Sequence, residues 1–144
     1  MKESQKKMLR EWLELWRKSD GIYVRFLKRW DLSLNEYFVL RWLYENPEGM
    51  EPAQLAEAAA VQRQLVTSIL REFESRKLTC RQDHPTDLRR RVILLTEAGR
   101  EFAGTVTQAV DELDLKALST FSEEEQVLLM KFSQKFYEGL CRAL

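Results

Sequence analysis

Residues 61–99 read VQRQLVTSILREFESRKLTCRQDHPTDLRRRVILLTEAG, and the reading of this stretch decides the fold. Over 62–75 the apolar residues Leu65, Val66, Ile69, Leu70 and Phe73 recur at helical spacing, while Gln64, Thr67, Ser68 and Arg71 fall together on the opposite face. That pattern predicts a helix with a buried stripe and a polar, barely acidic outer side. Two short β-prone runs follow, at 78–81 and 91–95, around a segment DHPTDLRR that has turn residues and no apolar periodicity. The spacing predicts a hairpin with a long tip. Arg76, Lys77, Arg81, Arg89, Arg90 and Arg91 surround it against Asp83 and Asp87, so the hairpin is locally cationic.

A helix with short hydrogen-bonding side chains beside a basic hairpin suits duplex DNA. The helix fits the major groove, and arginines meet phosphates or the narrow minor groove. Gln64, Thr67, Ser68 and Arg71 are the candidates for base contact, because Gln pairs bidentately with adenine, Arg with guanine, and Thr offers a methyl to thymine. Arg63, at the helix start, is placed for phosphate. Alternation along the strand puts Arg90 and Arg91 on opposite faces, so at most one of these two DNA candidates points with Arg89. The competing reading is an ordinary exposed helix and a solvated turn.

Asp87-Leu88-Arg89 followed by Val92-Ile93-Leu94-Leu95-Thr96-Glu97-Ala98-Gly99 resembles the wing signature of the MarR family of winged helix-turn-helix regulators. Leu55-Ala56, Val66-Thr67 through Leu70, and 74–78 resemble that family's helix-turn-helix. The resemblance implies a mainly α fold with a small β-hairpin wing, a winged helix-turn-helix with N- and C-terminal dimerisation helices. It implies a homodimer joined through its first and last helices, an Asp87 that steadies Arg89, and an Arg89 that enters the minor groove. It also implies repression relieved by a small aromatic effector. Leu65 stands where the family often has a polar residue, and is expected either to be buried or to alter base preference.

Twenty-three basic residues cancel twenty-three acidic ones, which argues against nonspecific coating of nucleic acid and places any such binding in a local patch. No apolar run is long enough to cross a bilayer and the N-terminus has no uninterrupted apolar core for export, so a cytoplasmic protein is expected. Cys80 and Cys141 are expected to be buried or inert rather than disulfide-bonded, in a reducing compartment. His84 lies four residues after Cys80, but two potential ligands do not make a tetrahedral site, and no metal or other cofactor is expected. No serine, cysteine or carboxylate is placed with a base in a recognisable motif, so the chain does not read as an enzyme.

Outside the deciding stretch, an apolar stripe rich in aromatics predicts one long helix over 3–30. It carries more apolar surface than a small domain covers alone, and a second subunit is the natural cover. Ser33-Leu34-Asn35-Glu36 reads as a capping box opening a helix that ends at Asn46-Pro47-Glu48-Gly49. Pro52 suits a first helical position, and Leu55, Ala56 and Ala59 complete the short helix before the reading helix. Thr96 is placed to cap a further helix, and Ser122-Glu123-Glu124-Glu125 is a second capping box. The 144 residues then form one subunit, with 1–31 and 116–144 as dimerisation helices, 32–102 as the winged helix-turn-helix and 96–115 as a connecting helix. Trp12, Trp16, Tyr23, Trp30, Tyr37 and Trp42 are the candidates to line an effector pocket, although aromatic stripes at helical spacing more often build core. The rival function is a winged-helix protein-interaction module without DNA binding. Gln62 stands where Asp or Ser would cap the reading helix and Lys77 where Gly often ends it, and both keep that rival in view.

Overall fold

Side-chain caps and left-handed residues set most of the element boundaries. The computed structural model describes all residues 1–144. In order they form α1 (Glu3–Leu27), a 3-10 turn (Lys28–Trp30), α2 (Leu34–Glu45), α3 (Pro52–Ala59), α4 (Arg63–Ser75), β1 (Thr79–Asp83), β2 (Arg91–Leu95), α5 (Glu97–Leu118) and α6 (Glu123–Ala143). The chain divides into two compact units, 1–104 and 105–144.

In the first unit Ser33 Oγ accepts the Glu36 amide at 3.1 Å while the Glu36 carboxylate accepts the Ser33 amide, which satisfies two of the donors that begin α2. At the start of α3 the Gln54 side chain accepts the Glu51 amide at 2.9 Å, and Pro52 occupies the first turn, where its missing N–H costs nothing. Ala60 ends α3 and Lys77 follows α4, each in the left-handed region at φ 53° and 60°. The fully buried side chains Leu27, Val39, Leu40, Leu43, Leu55, Val66 and Phe73 make the core of this unit, so α4 is held by the stripe that its sequence displays.

The hairpin is antiparallel, with Thr79 opposite Leu95 and Asp83 opposite Arg91. Met50 adds a short third member by exchanging both backbone hydrogen bonds with Ile93, at 3.0 and 2.8 Å. Gly49 permits this approach: its φ is +91°, and a Cβ there would stand 2.8 Å from the Ile93 carbonyl oxygen.

The second unit comprises the rest of α5, a turn and α6. Ser122 and Glu125 form the expected capping box, at 3.1 and 3.2 Å. Val127, Met130, Phe132, Tyr137 and Leu140 of α6 are all more than half exposed. No helix of the chain is long and apolar enough to cross a membrane.

Four expectations need correction. The first helix stops at Leu27 and tightens into a 3-10 turn that Asp31 ends in the left-handed region, rather than running to residue 30 as α-helix. Leu65 is not part of the buried stripe: it is 39% exposed and lines a groove with Ser33, Glu36, Ser68 and Arg71 at the N-terminal end of α2, beyond the core. The first strand starts at Thr79 and continues to Asp83, because the Asp83–Arg91 pair, at 3.0 Å, prolongs the ladder past Arg81. Cys80 and Cys141 are both free thiols and both exposed.

Candidate nucleic-acid interface

The sequence puts nine basic or polar candidates around α4 and the hairpin, and the structure sorts them by what already occupies them. Arg90 is claimed by a two-pronged ion pair with Glu51, the N-cap of α3. Arg91 donates to Asp83 at 3.0 Å and to the Leu88 carbonyl at 2.7 Å. Arg81 pairs with Glu74 at 3.3 Å, and Arg76 donates to the Trp30 carbonyl at 3.2 Å while lying over the Phe102 ring. The local positive excess is therefore smaller than the hairpin sequence alone suggests, since Glu51 and Glu74 reach it from neighbouring helices.

The side chains of Arg63, Arg71 and Arg89 make no ion pair and are exposed, as are Gln64, Thr67 and Ser68. Arg63, Gln64, Thr67, Ser68 and Arg71 share α4, whose buried face is Val66, Ile69, Leu70 and Phe73. The Thr67 hydroxyl donates to the Arg63 carbonyl at 3.1 Å. Gln62, the N-cap, makes no side-chain hydrogen bond to the helix, so the first amides of α4 are left for another acceptor.

Asp87 is half-buried and its carboxylate accepts the backbone N–H of Arg89 at 3.0 Å. It shapes the loop that carries the arginine rather than pairing with the guanidinium, which stays unneutralised. The tip closes through His84 N–H to the Arg90 carbonyl at 3.2 Å and Arg90 N–H to the Asp87 carbonyl at 3.1 Å.

Glu51 is the functional neighbour that sequence reasoning missed. Its signal is present in Glu51-Pro52-Ala53-Gln54, a capping pattern with proline at the first helical position. Bonded to Arg90, it ties the base of the wing to the start of α3. The Arg90 guanidinium holds the Glu51 carboxyl below the ordinary carboxylate range, and Glu51 in turn raises Arg90. A depressed carboxylate stabilises the fold above its unfolded-state pKa and loses that contribution as pH falls through the depressed value. Glu51→Gln is accordingly expected to lower Tm at pH 7, with the two proteins converging in strong acid. A pH series of thermal melts checks this, and a constant difference down to acid would contradict it.

The six aromatic candidates all lie in the first unit but are engaged in separate contacts. Trp12 and Trp16 meet edge to face at 5.8 Å, Trp30 meets Phe26 at 5.5 Å, and Tyr37 is buried beside Phe38 and accepts a hydrogen bond from Arg41. Tyr23 is half-buried and Trp42 is 37% exposed.

Two short consecutive helices, a third packed behind them and a hairpin beside the second define a winged helix-turn-helix protein. The MarR family profile matches residues 32–90. The transcriptional regulator HosA of Escherichia coli O111:H- is 33% identical over 105 residues, covering 73% of this chain and 77% of that protein. The chain belongs to the MarR family and is a transcriptional regulator of that type, not an enzyme. Its fold is similar to that of Staphylococcus aureus MepR in a complex with DNA, with TM-score 0.79, 25% identity and coverage of 90% and 94% of the two chains. Streptococcus pneumoniae FabT in complex with DNA matches in fold with TM-score 0.81 at 20% identity, over 97% and 99%.

Proposed function

We propose that the chain is a homodimeric repressor that binds a pseudo-palindromic double-stranded operator in a sequence-specific way and is released by a small aromatic effector. The observation that carries the DNA reading is selective neutralisation. Most cations around the hairpin are consumed by internal partners, whereas Arg63 and Arg71 on one face of α4 and Arg89 at the wing tip are exposed and unpaired. A free charge beside paired ones is what a phosphate or groove contact requires.

In this reading Gln64, Ser68 and Arg71 contact base edges, and Thr67, its hydroxyl already committed, offers its methyl to a thymine. Arg63 and the uncapped amides of α4 receive phosphate, so the absent cap favours DNA binding over the protein-interaction alternative. Asp87 orders the wing and Arg89 enters the minor groove, with Arg90 and Arg91 holding the wing in shape. MepR and FabT are both known as DNA complexes, which supports the same partner here.

The exposed apolar residues of α1, among them Leu13, Leu15, Trp16 and Ile22, and those of α6 support assembly into a dimer through the two terminal helices. Within it, 32–102 is the reading head, 96–115 the connection, and 1–31 and 116–144 the dimer contact. The aromatic residues of α1, the 3-10 turn and α2 supply the effector's contacts, although they make separate pairings within the subunit, and an effector acts to the extent that it prefers head separations the operator does not. A protein that reads the operator works in the cytoplasm.

Selection of bound duplexes from a random pool, with the mass of the complex measured in parallel, tests this. The expected result is enrichment of an inverted repeat bound by two chains, and weaker enrichment when an aromatic carboxylate series is added. Recovery of an unenriched pool would overturn it.

A further inference from the structure

His84, the one histidine of the chain, turns its ring back onto the backbone of the wing tip. Its Nδ1 lies 3.3 Å from the Thr86 amide nitrogen, 3.2 Å from the Asp87 amide nitrogen and 3.3 Å from Thr86 Oγ1. Backbone amides only donate, so a ring nitrogen that receives two of them carries a free lone pair, and the ring proton resides on Nε2. The bonding continues from there. The Asp87 carboxylate accepts the Arg89 amide, and the Asp87 carbonyl accepts that of Arg90. One series of hydrogen bonds thus runs from the His84 ring through Asp87 to Arg89. Pro85, inside the turn, has no N–H to compete.

The geometry points to His84 as a positioning residue of the wing: its neutral ring holds residues 86–89 in the shape that presents Arg89, and protonation of Nδ1 releases them. The step is a plain proton uptake. A hydronium ion gives its proton to the Nδ1 lone pair and leaves as water, the ring becomes a donor at both nitrogens, and the Thr86 and Asp87 amides lose their acceptor. This inference rests on the wing as a duplex-binding element.

The charged groups around the ring are Asp87 in the tip, Asp83 of β1 paired with Arg91 of β2, and Glu51 at the start of α3 paired with Arg90.

The test compares the full-length wild type with His84→Asn and His84→Ala at pH 8 and pH 5.5. One readout is anisotropy with a labelled duplex from the random-pool selection, and the other is amide NMR of Thr86 and Asp87 without DNA. Asn carries an oxygen near the place of Nδ1, accepts the same amides in an Asx-turn and does not titrate. His84→Asn is expected to bind within about twofold of wild type at pH 8, and His84→Ala about tenfold more weakly, the worth of about 1.4 kcal/mol. Between pH 8 and 5.5 the wild type is expected to lose about tenfold more affinity than His84→Asn. The wild-type Thr86 and Asp87 amide signals move together over that interval, and those of His84→Asn stay fixed. Wild-type affinity in His84→Ala at pH 8, or amide signals indifferent to pH, would overturn the assignment. If the wild type binds no duplex, the operator reading fails on its own and the amide titration alone decides whether His84 holds the turn.

Discussion

Arg89→Ala weakens binding to every duplex that the protein binds, by about 10- to 100-fold, and makes affinity less sensitive to salt. The guanidinium is exposed at the wing tip with no internal partner, so its removal leaves the folded subunit intact and deletes only what it does outside. An arginine that displaces a counterion on binding contributes about 0.9 to the slope of log affinity against log salt, and the variant's slope is expected to fall by about that much. Gln64→Ala gives the contrasting signature, a changed order of preference among sites with the salt slope retained, because an amide reads base edges and neutralises nothing. Titrations of both variants at several salt concentrations separate the two roles. An Arg89→Ala protein with wild-type affinity and slope would remove the wing from the interface.

Gly99→Ala destabilises the subunit by about 2–4 kcal/mol, or about 5–15 °C in Tm, without touching any residue that meets DNA. A Cβ at this position would stand 1.9 Å from the Leu78 carbonyl oxygen and 2.8 Å from its carbonyl carbon, both backbone atoms that cannot rotate away. That carbonyl accepts the Thr96 amide at 2.9 Å, the Thr96 hydroxyl donates to the Lys77 carbonyl at 2.7 Å, and Thr96 Oγ1 accepts the Gly99 amide at 2.9 Å. The start of α5 is thereby tied to the link between α4 and β1, and a methyl group forces that contact open. Thermal melts at matched protein concentration check the loss, since dimerisation would make Tm depend on concentration. A Tm within a degree of wild type would show that the contact is looser than described.

Both effects were partly visible in the linear chain. Asp87, Arg89, Thr96 and Gly99 carry the resemblance to MarR wings, and the hydrophobic period over 62–75 places α4 to within a residue. The capping boxes at Ser33 and Ser122 also stand where local chemistry puts them, because a cap is decided within four residues. The pairings formed across the fold were not legible. Arg90 and Arg91 read as members of one basic run, and Glu51, 39 residues from Arg90, together with Asp83, across the hairpin from Arg91, separates them from Arg89. Leu65 fits the helical stripe by spacing, yet it faces the groove beside the start of α2 rather than the core, so periodicity counted it inside. His84 invited a question about metal through its distance from Cys80, whereas the ring turns to the amides of its own loop.

Hydroxyl-radical footprinting on a selected duplex tests the central claim most directly, since it reports at single-nucleotide spacing where the protein covers the backbone. Two protected half-sites about 10 bp apart on one face of the duplex, each flanked by a minor-groove segment whose protection disappears in Arg89→Ala, are the expected result. Uniform protection, a single unpaired site, or flanking segments unchanged by Arg89→Ala would contradict the account.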